Sequence, residues 1–136
     1  MEINYLTTLE GVDWDEIKRK IQEDDFDNGR TAEQLRISFE NSYATCIAYD
    51  GDQIVGKLRV LSDGVCNAYI VDVWTYHPYR KLGIARKMME TVQGKLRGQH
   101  IYLFTDPETV EFYERLGFKR WGIGLGKVVG DWLVHE

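Results

Sequence analysis

The sequence predicts a chain of the α+β class, a mixed α/β arrangement with about four helices on one central sheet. That sheet is mixed but mostly antiparallel, with about six to seven strands. Two observations carry the prediction. Three β-prone runs, residues 43–49, 54–61 and 66–75, are joined by four-residue links that turn at Asp50, Gly51 and Asp52 and then at Asp63 and Gly64, and short Asp/Gly turns of this kind join antiparallel neighbours. A helical pattern and a further strand candidate follow the third run, an order that closes as a right-handed parallel crossover. At 136 residues the chain reads as a single domain over 1–136, with room for one core and little for a second.

Residues 3–9 are the first strand candidate. Val12, Asp13, Glu16 and Ile17 then mark a helix start in which Asp13 caps, Glu16 reaches back and Val12 staples to Ile17. That helix carries Trp14, Ile17 and Ile21 on one face. The stretch Glu23, Asp24, Asp25, Phe26, Asp27, Asn28, Gly29, Arg30 breaks the pattern, and Thr31 with Gln34 makes a second capping box ahead of Leu35 and Phe39. Beyond the three strands, Ile84, Ala85, Met88, Met89, Val92 and Leu96 recur at helical spacing, and Gly98 supplies the stop. Residues 101–104 read as a buried strand. Asp106 and Pro107 open a last helix through Val110 and Tyr113 to Gly117, with Asp106 as its N-cap. Residues 118–121 and 127–134 are the final strand candidates, separated by Gly122, Gly124 and Gly126.

A hydrophobic content of 43% and a charged content of 29% are those of an ordinary soluble globular chain. No run approaches the roughly 18 apolar residues of a membrane span, and the N-terminus lacks a basic region followed by an apolar one, so no membrane partner and a cytoplasmic location are expected. Cys46 and Cys66 read as buried, reduced thiols, and His77, His100 and His135 are scattered outside any ligand spacing, so no metal is expected. The net charge of -5 argues against nucleic acid, which needs a broad basic face.

Against that acidity, Arg80, Lys81, Arg86 and Lys87 crowd one turn between the strand ending at Thr75 and the helix opening at Ile84. Backbone N–H groups at a helix start have no intrahelical partner, and with surrounding cations they make a phosphate site. Gly83 lets the backbone approach a bulky anion, and Ala85 keeps the next turn nearly as open. The RxxGxA pattern of Arg80, Gly83 and Ala85 resembles the pyrophosphate loop of the GCN5-related N-acetyltransferases (GNAT family). The segment Phe112, Tyr113, Glu114, Arg115, Leu116, Gly117, Phe118 resembles that family's second signature, and the order of elements agrees over nearly the whole chain. Pro78 and Lys81 depart from the common spelling of the turn.

The resemblance implies a GNAT fold in which the strands on either side of the crossover splay to hold acetyl-CoA. It implies cofactor contacts from the main chain of Val73, Trp74 and Thr75 and from Arg80, Lys81, Leu82, Gly83, Ile84, Ala85 and Arg86. The activity implied is transfer of acetyl to a primary amine, of a small molecule or of a peptide's lysine or N-terminus, by direct attack; the alternative is a non-catalytic acetyl-CoA-binding sensor or protein-interaction domain. Tyr113 matches the family's acid, which protonates the departing thiolate; read alone, it is also a helix-face aromatic whose hydroxyl meets water. Asp72 is the candidate base, with Ile70, Val71 and Val73 around it expected to raise its pKa. Pairing with a cross-strand cation, or holding the substrate ammonium, is the other reading. Trp74, Tyr76, Phe26 and Trp132 are candidate walls of an acceptor pocket. The acidic run at 23–27 reads as a solvated loop that could greet a cationic acceptor. Relatives often dimerise, so a homodimer is a further expectation.

Overall fold

The computed structural model describes residues 1–131. Along the chain come β1 (Ile3–Leu6), α1 (Trp14–Glu23), α2 (Ala32–Glu40), β2 (Ala44–Asp50), β3 (Gln53–Ser62), β4 (Asn67–Thr75), α3 (Ile84–Gln93), β5 (His100–Tyr102) and α4 (Val110–Arg115). The strands form one sheet in sequence order, antiparallel from β1 to β4 and parallel between β4 and β5.

Strand alternation gives the sheet two apolar faces. Ala44, Cys46 and Ala48 of β2, with Val55, Val60, Ala68 and Ile70, meet Ile84, Met88, Met89 and Val92 of α3. Ile47, Ile54 and Trp74 point the other way, onto Ile17 and Ile21 of α1 and Leu35 and Phe39 of α2. Gly56 is where α3 comes closest. A Cβ there would stand 3.1 Å from the Met88 Cε and 3.2 Å from the Ala48 Cβ, so even alanine would require its neighbours to give by a few tenths of an ångström.

Local capping follows the sequence closely. The Asp13 carboxylate accepts from the Glu16 N–H at 3.0 Å, and Thr31 and Gln34 form the full reciprocal box. Glu16 departs from expectation, because its carboxylate does not return to the cap. It accepts from the Ile54 N–H at 2.7 Å and from the Lys20 ammonium at 2.7 Å, while Lys20 donates to the Ile54 carbonyl at 2.7 Å. A nearly buried ion pair thus ties α1 to the first turn of β3. Asp106 caps with its carbonyl, which accepts from the Thr109 N–H and hydroxyl, rather than with its side chain.

Several boundaries also differ. β1 stops at Leu6, and β5 is a three-residue strand of which only Ile101 is half-buried, not a buried run over 101–104. Residues 118–121 and 127–131 form no strand, and 132–134 lie outside the described residues. The described sheet therefore has five strands rather than six or seven, while the class is as expected. Cys46 is buried and its thiol is pushed up to about 12 by burial, whereas Cys66 is exposed in the turn ahead of β4.

Candidate active site

The β4–β5 pairing ends early. Asn67, Ala68 and Tyr69 pair with His100, Ile101 and Tyr102, and beyond Tyr69 the strand runs on to Thr75 without that neighbour. The separation opens a cleft between β4 and the segment leading to α4. On its other edge β4 carries a bulge. Lys57 faces Trp74 and Arg59 faces Val71, so Asp72 and Val73 together oppose Leu58. Asp72 takes a positive φ of 58°, unusual outside glycine. A bulge of this kind bends its strand and re-aims the residues in it.

Beyond Thr75 a 3₁₀ turn, His77–Tyr79, leads into the cationic turn. Lys81 lies at φ 65° and Gly83 at φ 82°. Lys81 thus occupies a left-handed position that the more usual glycine would take freely, which explains how the departure is accommodated at a cost of about 1–2 kcal/mol. Gly83 is the N-cap of α3 and offers no side chain to its first amides. The first N–H groups of a helix have no intrahelical partner, and with Lys81 and Arg86 bordering the same cavity the arrangement favours an anion. The Arg80 Nε donates to the Thr75 carbonyl at 3.2 Å, folding the side chain back across the turn.

These pieces line one cavity of about 480 Å³. Val73, Trp74, Thr75, Arg80, Lys81, Gly83, Ile84, Ala85 and Arg86 all border it, and so does Tyr113 from α4. Leu82 alone among the expected contacts is not on its wall, and its side chain is exposed. A second cavity of about 460 Å³ adjoins it, lined by Asp72, Tyr69, Leu103 and Phe104 among others. Phe26, Val73, Thr109 and Tyr113 border both.

Tyr113 stands at the junction, edge-on to Phe112 and Phe118. Burial raises its phenol above the ordinary value, so it stays protonated at neutral pH. Asp72 corrects the sequence expectation. Burial does push its carboxyl up, but the Lys57 ammonium and a 2.6 Å bond from the Arg59 Nε outweigh it and hold the group below the usual carboxylate range. The cross-strand cation named as the other reading is Arg59.

Lys57 is 1% exposed. Its ammonium reaches the Asp72 carbonyl at 3.4 Å and lies over the rings of Phe26 and Phe39. Burial lowers its pKa to about 8, against the pull of Asp72.

Of the aromatic wall candidates, Phe26 borders both cavities. The Trp74 ring belongs to the α1/α2 core and Tyr76 gives its hydroxyl to Glu23. Trp132 lies outside the described residues. Within the acidic run, Asp24 is not solvated; its side chain is 1% exposed and bonded to the turn after β4. No local pattern marks Asp24, Lys57 or Arg59, because each finds its partners across the sheet. Among the described residues no group of three or more His, Cys, Asp or Glu could hold a metal, and no helix is long and apolar enough to cross a membrane.

The model of the acetyltransferase (GNAT) family matches residues 9–118. A protein of Gracilaria tenuistipitata var. liui named uncharacterized N-acetyltransferase ycf52 is 31% identical over 96 residues, covering 65% of this chain and 53% of its own. The chloroplastic serotonin N-acetyltransferase 2 of Oryza sativa subsp. japonica is 33% identical over 96 residues, covering 65% of this chain and 48% of its own. The chain spans about half the length of these curated relatives. Among solved structures, a Deinococcus radiodurans R1 protein assigned as an acetyltransferase superposes with a TM-score of 0.82 at 30% identity, over 92% of this chain and 87% of that one. A GNAT family acetyltransferase of Streptococcus pneumoniae TIGR4 superposes at 0.79 with 23% identity, over 96% and 100%.

Proposed function

Because the chain belongs to the acetyltransferase (GNAT) family, we propose that it is an N-acetyltransferase that takes acetyl from acetyl-CoA and delivers it to a primary amine, in the cytosol. The observation that carries this reading is the 480 Å³ cleft in which the cationic turn, the free edge of β4 and Tyr113 converge. The residues present fit the coenzyme. Amides at the start of α3 with Lys81 and Arg86 suit a diphosphate, Arg80 supports their turn, and the cleft-side main chain of Val73, Trp74 and Thr75, where β4 has run past its pairing with β5, suits the amides of an extended arm. Bound there, acetyl-CoA supplies an acyl group activated as a thioester.

Tyr113 donates its phenolic proton to the sulfur that leaves, a transfer suited to a group held protonated at neutral pH. Val73 lies in the bulge and borders the cleft, so its N–H is the main-chain donor proposed for the negative charge that would grow on the acyl oxygen. The amine must lose a proton to attack. A lysine-like amine of pKa about 10.4 is neutral in only about one molecule in 2,500 at pH 7, a deficit of about 4.6 kcal/mol. Asp72 serves there as the carboxylate that receives the ammonium. Because Arg59 and Lys57 keep it ionised, Asp72 is too weak a base to take that proton; it orients the ammonium, and the proton goes to bulk water before the neutral amine attacks.

The second cavity is the acceptor side of the proposal. Phe26, Leu103 and Phe104 give it apolar walls and Asp72 a negative charge, a setting for a small amine with an apolar body or for the amine of a peptide lysine or N-terminus. The name of the rice relative puts serotonin first among amines to try. The test is thiol release from acetyl-CoA across a panel of aromatic, aliphatic and peptide amines, alongside calorimetric binding. Turnover with any acceptor supports the reading. Binding without turnover on the whole panel replaces it with an acetyl-CoA sensor, and no binding at millimolar coenzyme ends it.

A further inference from the structure

Asp24 ends α1, and its carboxylate is the meeting point of groups some fifty residues away. It accepts from the Trp74 indole Nε1 at 2.9 Å, from the His77 main-chain N–H at 3.1 Å and from the His77 Nδ1 at 2.7 Å, and the Arg80 Nη2 lies 3.5 Å from it. The α1 terminus holds it still. The Phe26 N–H donates to the Ile21 carbonyl at 2.8 Å and the Asp25 N–H to the Gln22 carbonyl at 3.2 Å, with Asp25 at φ 54°, the reciprocal pattern of a Schellman ending. Two residues on, Phe26 borders both cavities. One carboxylate with 1% exposure therefore joins the end of β4, the 3₁₀ turn and the first residue of the cationic turn to the loop that walls the acceptor side.

We infer that Asp24 is a positioning residue for acetyl-CoA, a clasp that sets the diphosphate turn through His77 and Arg80 and carries Phe26 to the mouth of both cavities. This rests on the function proposed above. Its bonds to His77 and Arg80 bear on the turn, so its loss falls chiefly on ligands that carry the diphosphate. A buried acceptor deprived of its charge leaves several donors poorly satisfied, and the turn moves to find water.

The test compares the wild type with Asp24→Asn, with His77→Ala, which removes one donor at a largely exposed side chain, and with Asp25→Asn, a control for nearby charge. Amide hydrogen exchange of the free proteins is read over residues 76–86, and dissociation constants are measured for acetyl-CoA and for S-acetylpantetheine, which lacks the diphosphate. Expected are faster exchange across the turn in Asp24→Asn and at least fivefold weaker acetyl-CoA binding. His77→Ala shows a smaller change in the same direction, and Asp25→Asn and all S-acetylpantetheine values stay within twofold. Unchanged acetyl-CoA binding in Asp24→Asn, or equal weakening for both ligands, overturns the clasp and leaves the proposed function standing. A wild type that binds neither ligand overturns the proposed function and, with it, the clasp's tie to acetyl-CoA, whatever the exchange shows.

Discussion

Replacing Tyr113 by Phe isolates one hydroxyl. The edge-on contacts of the ring with Phe112 and Phe118, at centroid distances of 5.0 and 5.9 Å, survive the change. Among the described residues no partner is left without its hydrogen bond, so the folded state should change by no more than about 0.5 kcal/mol, or roughly 2 °C in Tm. The kinetic effect is different in kind. Positioned acid catalysis is worth about 10²–10⁴ in rate, and a thiolate, whose conjugate acid lies near pH 8.5, leaves readily and needs the smaller share. A fall in kcat of about 100-fold is expected, equivalent to about 2.7 kcal/mol of barrier, with KM for acetyl-CoA within twofold. Because burial lifts the phenol above its ordinary value, the Tyr113-dependent part of the wild-type rate should persist to pH 10 and decline only beyond it. Steady-state thiol release at saturating amine, with a thermal melt of each protein, measures all three quantities. A kcat within threefold of wild type, or a loss confined to KM, refutes the acid role.

Asp72→Asn removes the carboxylate that Arg59 and Lys57 hold ionised. A folded pKa below the unfolded one stabilises above the unfolded value, near pH 3.9, and that stability disappears as pH falls through the folded value. Urea titrations at pH 3 and 7 should therefore show a smaller acid-induced loss in the variant than in wild type, and its kcat should drop at least tenfold with no new titration between pH 5 and 8 in the wild-type profile. Gly83→Ala adds a methyl with nothing within 4 Å, so the cost is backbone alone, about 1–2 kcal/mol at φ 82°. Calorimetry should find acetyl-CoA bound about tenfold more weakly as the amides turn away. Glu16→Ala leaves the Lys20 charge and the Ile54 N–H without their acceptor, and the loss in urea denaturation should reach about 3–5 kcal/mol. With Lys20→Met the double-mutant cycle should show a coupling of at least about 1 kcal/mol.

What was legible beforehand is what neighbours in sequence decide. The box of Thr31 and Gln34 and the Asp13 cap involve partners three residues apart and formed as read. The short Asp/Gly turns fixed the order of β2, β3 and β4, and the cationic turn was visible because Arg80, Gly83 and Ala85 lie within six residues of one another. Glu16 was misread because a strand 38 residues away presents a better-placed N–H than its own cap. The expected rise in the Asp72 pKa considered only the apolar residues beside it in sequence; Arg59 and Lys57 come from the neighbouring strand. Asp24 looked like one of several solvated acids until Trp74 and His77 were brought onto it. The segments 118–121 and 127–131 have strand-like composition, but β-propensity reflects a fit to neighbours; Trp121 meets β5 only through the rings of His100 and Tyr102, and among the described residues neither segment pairs with a strand.

The stretch of β4 from Ile70 to Thr75 is an open seam inside the molecule, with amides and carbonyls facing a slot rather than another strand. Open seams normally tempt other chains to join them, yet here Thr109, Phe112 and Tyr113 stand across the slot and leave a cleft of about 480 Å³. A guest that docks there answers to peptide groups, which every residue type carries alike. Side chains along the seam are then left to shape the surroundings of such a guest rather than to hold it.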